Sequence, residues 1–124
     1  MGDARVRRWS RRIVHPRLLL TTSDPDATLA ALATALADRG FRTRPAGDGF
    51  RATRRPWLSW LATAASTSCV LLVETTSPTT VVVDVEHCGD HPAPVRVAQA
   101  LTDAVRRLTS AGVEVHPGGW QAVP

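Results

Sequence analysis

Hydrophobic and polar positions along this chain fall into blocks of two different periods. The most apolar block runs from Cys69 to Cys88, CVLLVETTSPTTVVVDVEHC, where two Val- and Leu-rich runs flank the turn formers Thr75-Thr76-Ser77-Pro78-Thr79-Thr80. β-Branched side chains crowd χ1 in a helix but fit a pleated surface, so both runs read as strands of one hairpin. Pairing Leu71 with Val85 and Val73 with Val83 makes one face wholly apolar and sends Glu74, Asp84 and Glu86 to the other. This register needs a loop of odd length. It places Cys69 opposite His87 on the buried face and Cys88 on the other side, an arrangement unfavourable to a Cys69–Cys88 disulfide. A slip of one residue would set the two cysteines opposite each other.

The helical period of three and four appears twice. Ser23-Asp24-Pro25-Asp26 supplies a capping oxygen, a first-turn proline and an acid near the positive end of the dipole. A helix over Asp26–Arg39 then follows, with Leu29, Leu32, Ala33, Leu36 and Ala37 as its apolar stripe and Gly40 past its end. The second helix covers Pro94–Ser110, with Val97, Ala98, Leu101, Ala104, Val105 and Leu108 inward and Gly112 beyond. Strands are predicted at Arg17–Thr22 and Val113–His116, with a second hairpin, Phe41–Pro45 and Gly49–Arg54, turning at Ala46-Gly47-Asp48-Gly49. The stretch 56–68 fits a short helix or structured loop, with Trp57, Trp60, Leu61 and Ala64 on one side. The order β-α-β-β-x-β-β-α-β predicts an α+β fold, an antiparallel sheet of hairpins with two helices packed on one face. Residues 1–16 read as a flexible Arg-rich arm, 17–116 as a single domain, and 117–124 as a loose C-terminal tail.

Composition changes this picture in two ways. All fifteen basic residues are arginine, beside abundant Ala, Val, Pro and Thr, which points to coding bias before it points to nucleic acid. The charge is also uneven: residues 1–17 carry six arginines against one acid, and residues 69–124 carry three against six acids. Two cysteines in 124 residues form no disulfide framework and no zinc spacing, which favours a reducing, cytoplasmic setting. Ser10-Arg11-Arg12 begins like a twin-arginine export signal, but His15-Pro16 interrupts it and Leu18-Leu19-Leu20 is too short for its apolar core. Residues 56–73 are uncharged, yet rich in Ser and Thr, and their second half reads as a strand, so no membrane span is favoured.

The candidate chemistry is sparse. Cys69 and His87 are the catalytic candidates, since a thiolate needs a base beside it, and Cys69, His87, Cys88 and His91 are the metal candidates. We prefer the plainer assignment of Cys69 as a small core hydrophobe and the histidines as strand-end and loop residues. Glu74, Asp84 and Glu86 read as a solvated face. No GxGxxG, Walker, HExxH or GxSxG motif occurs, so no cofactor is expected and the balance is against an enzyme. The best candidates are for binding: Arg5, Arg7, Arg8, Arg11 and Arg12 in the arm, Arg42, Arg44 and Arg51 on a hairpin face with Arg54 and Arg55 close behind, and Trp57 and Trp60. The leading expectation is a non-catalytic binding or assembly module acting through protein–protein contacts, including self-association. The alternative is an anionic polymer or surface, nucleic acid or membrane, gripped by the same arginines. A third reading is a ligand carrier or enzyme with a cavity between sheet and helices.

Overall fold

Every predicted strand and helix that falls within the described residues is present in the structure, a computed structural model that describes residues 5–10, 12–54, 68–89 and 92–122. In chain order these are β1 (Pro16–Thr22), α1 (Pro25–Ala37), β2 (Arg42–Ala46), β3 (Gly49–Arg54), β4 (Cys69–Ser77), β5 (Thr80–Cys88), α2 (Ala93–Ser110), β6 (Val115–Pro117) and β7 (Gln121–Ala122). The strands form one antiparallel sheet in the order β2-β3-β4-β5-β1-β6, with β7 also on β1. The fold is α+β, and the two helices pack on one face of the sheet.

Local signals set the helix ends. Asp24 caps α1 by accepting a hydrogen bond from the Ala27 N–H at 3.1 Å, with Pro25 in the first turn. Both helices close alike: Gly40 and Gly112 take positive φ (88° and 84°), and the Phe41 and Val113 N–H groups donate back to the Leu36 and Leu108 carbonyls. The apolar stripe of α1 is rotated from the expected one, since Thr28, Leu32, Ala35 and Leu36 are buried while Leu29 and Ala33 are half-buried and Ala37 is exposed. Thr28 can go inward because its hydroxyl is satisfied there, 2.8 Å from the Asp24 carbonyl and 2.7 Å from the Thr22 hydroxyl. The expected stripe of α2 is buried throughout.

The central hairpin keeps the core pairs Leu71–Val85 and Val73–Val83, and all four residues are buried. Its five-residue connection from Thr76 to Thr80 resolves into a bulge at Thr76 and a Ser77–Thr80 pair around Pro78-Thr79. The other end corrects the expected register. A second irregularity, between Val85 and His87, leaves Glu86 unpaired, so Cys69 faces Cys88 and Val70 faces His87. Cys69 and Cys88 therefore share the helix-side face, and Glu86 and His87 are both exposed.

Described residues of both terminal segments pack on this body. Val6 and Trp9 join the core cluster at 5% and 6% exposure, and Trp120 packs against it. β7 pairs Gln121 and Ala122 with Arg17 and Pro16. In the second hairpin, Gly47 supplies positive φ at the first turn position, as a type II′ turn demands, and Gly49 lies so close to Val73 that a Cβ would sit 1.8 Å from its carbonyl oxygen.

Candidate binding surfaces

The arm residues acquire a defined position through two anchors. The Val6 N–H donates to the Thr102 hydroxyl at 3.0 Å, and that hydroxyl lies 2.8 Å from the Ala98 carbonyl one turn back. The Trp9 ring meets Trp120 edge to face, with centroids 5.0 Å apart, and Trp120 Nε1 donates to the Arg7 carbonyl at 2.7 Å. Burying every third residue of this segment turns Arg5, Arg7 and Arg8 outward. With Arg39 and Arg106 they line a cleft of about 970 Å³, floored by Val6, Ala98 and Thr102 with the exposed Val95 on its wall.

Electrostatics make this cleft basic. Its acid, Asp103, is bridged by Arg39 Nη2 at 2.5 Å, while Arg39 Nη1 also donates to Gln99. A neighbouring cleft of about 750 Å³ shares Arg39 and Val95 and adds Arg54 and Arg96. Its acid, Asp38, is 3.2 Å from Arg107. Arg7, Arg8, Arg96 and Arg106 make no ion pair among the described residues. The helix-borne part was missed from sequence, although Val95, Gln99, Thr102 and Arg106 recur at helical spacing and so share a face of α2. Arg12 is exposed but lies outside this cleft.

The outer sheet face carries Arg42, Arg44 and Arg51 together, because β2 pairs Arg44 with Arg51 and Arg42 with Thr53. Arg54 does not join them: it follows Phe50 and Ala52 on the helix side of β3, beside Gly40. Arg51 grips Glu86 in a fork, Nε to Oε1 at 2.7 Å and Nη2 to Oε2 at 3.4 Å. That hydrogen bond and the charge of Glu86, with a smaller contribution from Glu74, raise the Arg51 pKa above its ordinary value. Arg17 holds Asp84 likewise at 2.6 Å, and its pKa is raised by the same two causes. Two of the three carboxylates on this face are thus neutralised across strands, as the side chains of a solvated sheet face.

Of the cysteine–histidine candidates, Cys69 and His87 separate. His87 leaves the face that Cys69 occupies, which removes the expected Cys69–His87 pair. Cys88 lines a cleft of about 410 Å³ with Trp9, His15, Glu86, His87 and Pro94. His15, before Pro16, has a φ of 50°, a strained value for a side-chain-bearing residue. Among the described residues no three of His, Cys, Asp and Glu gather as a metal set. Arg11, Arg55, Trp57, Trp60 and His91 lie outside the described residues, as does the 56–68 stretch except Ser68. No described helix is long and apolar enough to cross a membrane. No protein-family model matches the chain, and no curated protein matches it.

Proposed function

We propose that this chain is a non-catalytic binding module that docks an acidic, partly apolar segment of a partner protein in the cleft between its arm and α2. The observation that carries this reading is the convergence of Arg5, Arg7, Arg8, Arg39 and Arg106, from three parts of the chain, around Val95 and Ala98. Arginines over an apolar floor match a segment in which carboxylates alternate with aliphatic side chains, and arginine is enriched at protein interfaces. A single-stranded nucleic acid asks for aromatic stacking platforms, and no described residue lining this cleft is aromatic. The composition, with two cysteines in the chain, supports a cytoplasmic setting for this module.

The test is fluorescence anisotropy with three probes at low and high salt: a Glu- and Leu-containing peptide, a single-stranded oligonucleotide and anionic lipid vesicles. The peptide is expected to bind, with affinity that falls as salt rises. Arg7→Glu with Arg106→Glu is expected to weaken it by about tenfold or more, the equivalent of ~1.4 kcal/mol. Tighter binding of the oligonucleotide or vesicles replaces this reading with the anionic-polymer one, which the excess of arginine in residues 1–17 favours. Binding of none of the three, with light scattering reporting a dimer, replaces it with self-association.

A further inference from the structure

We propose that Cys69 and Cys88 form an intramolecular cross-strand disulfide when the protein meets a small-molecule disulfide such as oxidised glutathione. The two residues are directly opposed at the open end of the β4–β5 hairpin, and both are thiols in this structure. The next opposed pair, Ser68 and Gly89, is joined by a hydrogen bond from the Gly89 N–H to the Ser68 carbonyl at 2.9 Å. In an antiparallel ladder, hydrogen-bonded and non-hydrogen-bonded pairs alternate, so Cys69–Cys88 is a non-hydrogen-bonded pair. Such pairs bring the Cα atoms to about 4.5 Å and the side chains closer than their neighbours. That separation lies within the range of roughly 4.4–6.8 Å that a disulfide spans.

The bulge at Glu86 is what creates this opposition. With an unbroken ladder, Leu71–Val85 and Val73–Val83 would put His87 across from Cys69, and the thiols would point apart. One inserted residue moves Cys88 to the helix-side face without disturbing the core pairs.

The accessibilities divide the roles. Cys69 is fully buried, whereas Cys88 is half-buried and lines the open cleft beside His15, Glu86 and His87. The Cys88 thiolate attacks oxidised glutathione, forming a mixed disulfide and releasing one glutathione. The Cys69 thiolate then attacks the Cys88 sulfur, forming the Cys69–Cys88 bond and releasing the second glutathione. The protein loses two protons and two electrons, which end on the two molecules of reduced glutathione. The product staples the end of the central hairpin and closes its loop in the unfolded chain.

The experiment treats the native full chain with oxidised glutathione, followed by intact mass and peptide mapping without reductant. A monomer lighter by two hydrogens, with the Cys69 and Cys88 peptides joined and a melting temperature above that of the reduced protein, is expected. Cys69→Ala is expected to stop at the glutathione mixed disulfide on Cys88. The proposal is overturned if the wild-type protein also stops there, if it links between chains, if it does not react, or if the bond forms only after unfolding in urea. The wild-type outcomes decide the matter even if the variant fails to fold.

Discussion

Thr102→Val isolates the contact that holds the arm in place. Valine keeps the shape and volume of the side chain, which is 8% exposed beneath the arm, but removes the hydroxyl. That hydroxyl is the hydrogen-bond acceptor of the buried Val6 N–H at 3.0 Å. It also lies 2.8 Å from the Ala98 carbonyl within the helix and 3.3 Å from the Val6 carbonyl; its single proton serves the nearer Ala98, a helix carbonyl that already accepts within the helix, so this second loss is minor. The cost is therefore that of one buried donor left without a partner, about 1–3 kcal/mol. Detaching the arm to solvate that donor would expose Val6 as well, and burial of a valine side chain alone is worth about 1.5–3 kcal/mol, with Trp9 adding to it. The arm thus remains docked and opens more often, roughly fivefold to 150-fold if the whole cost falls on the docked state. Urea unfolding followed by tryptophan fluorescence measures the global term, and amide hydrogen exchange at Val6 and Trp9 measures the local one. A variant within a few tenths of a kcal/mol of the parent, with unchanged exchange at both amides, refutes the assigned role of Thr102.

Other positions give sharper or coarser tests of the same packing. Gly49→Ala drives a Cβ into the Val73 carbonyl oxygen and is expected to cost at least about 1–3 kcal/mol, read as a fall in melting temperature; a melting temperature unchanged from the parent would contradict the close approach of β3 and β4. Leu71→Ala empties a fully buried site at the centre of the sheet, with an expected loss of about 2–5 kcal/mol in chemical denaturation. Asp24→Ala removes the α1 cap and is expected to cost about 1 kcal/mol; replacement by Asn should recover most of it, because the cap acts as an acceptor for the Ala27 N–H.

The elements were legible because their signals are local. Asp24 before Pro25, Gly40 and Gly112 beyond the helices, and the valine runs of β4 and β5 each act within a few residues of themselves. The cleft proposed for binding was only half legible. Arg5, Arg7 and Arg8 stand out as a cluster in the sequence, whereas Arg39, Val95 and Arg106 join them only once the arm lies along α2. Val6 and Trp9 carry no mark of core residues among so many arginines, since their burial depends on Thr102 and Trp120, about a hundred residues away. Period-two alternation determined which faces of the strands are apolar. It left open the bulge at Glu86, because burying Leu71, Val73, Val83 and Val85 fixes the register of those four residues and not of the two beyond them. Tertiary structure decided that last step, where Glu86 turns out to reach Arg51 of β3 and Cys88 turns in to face Cys69.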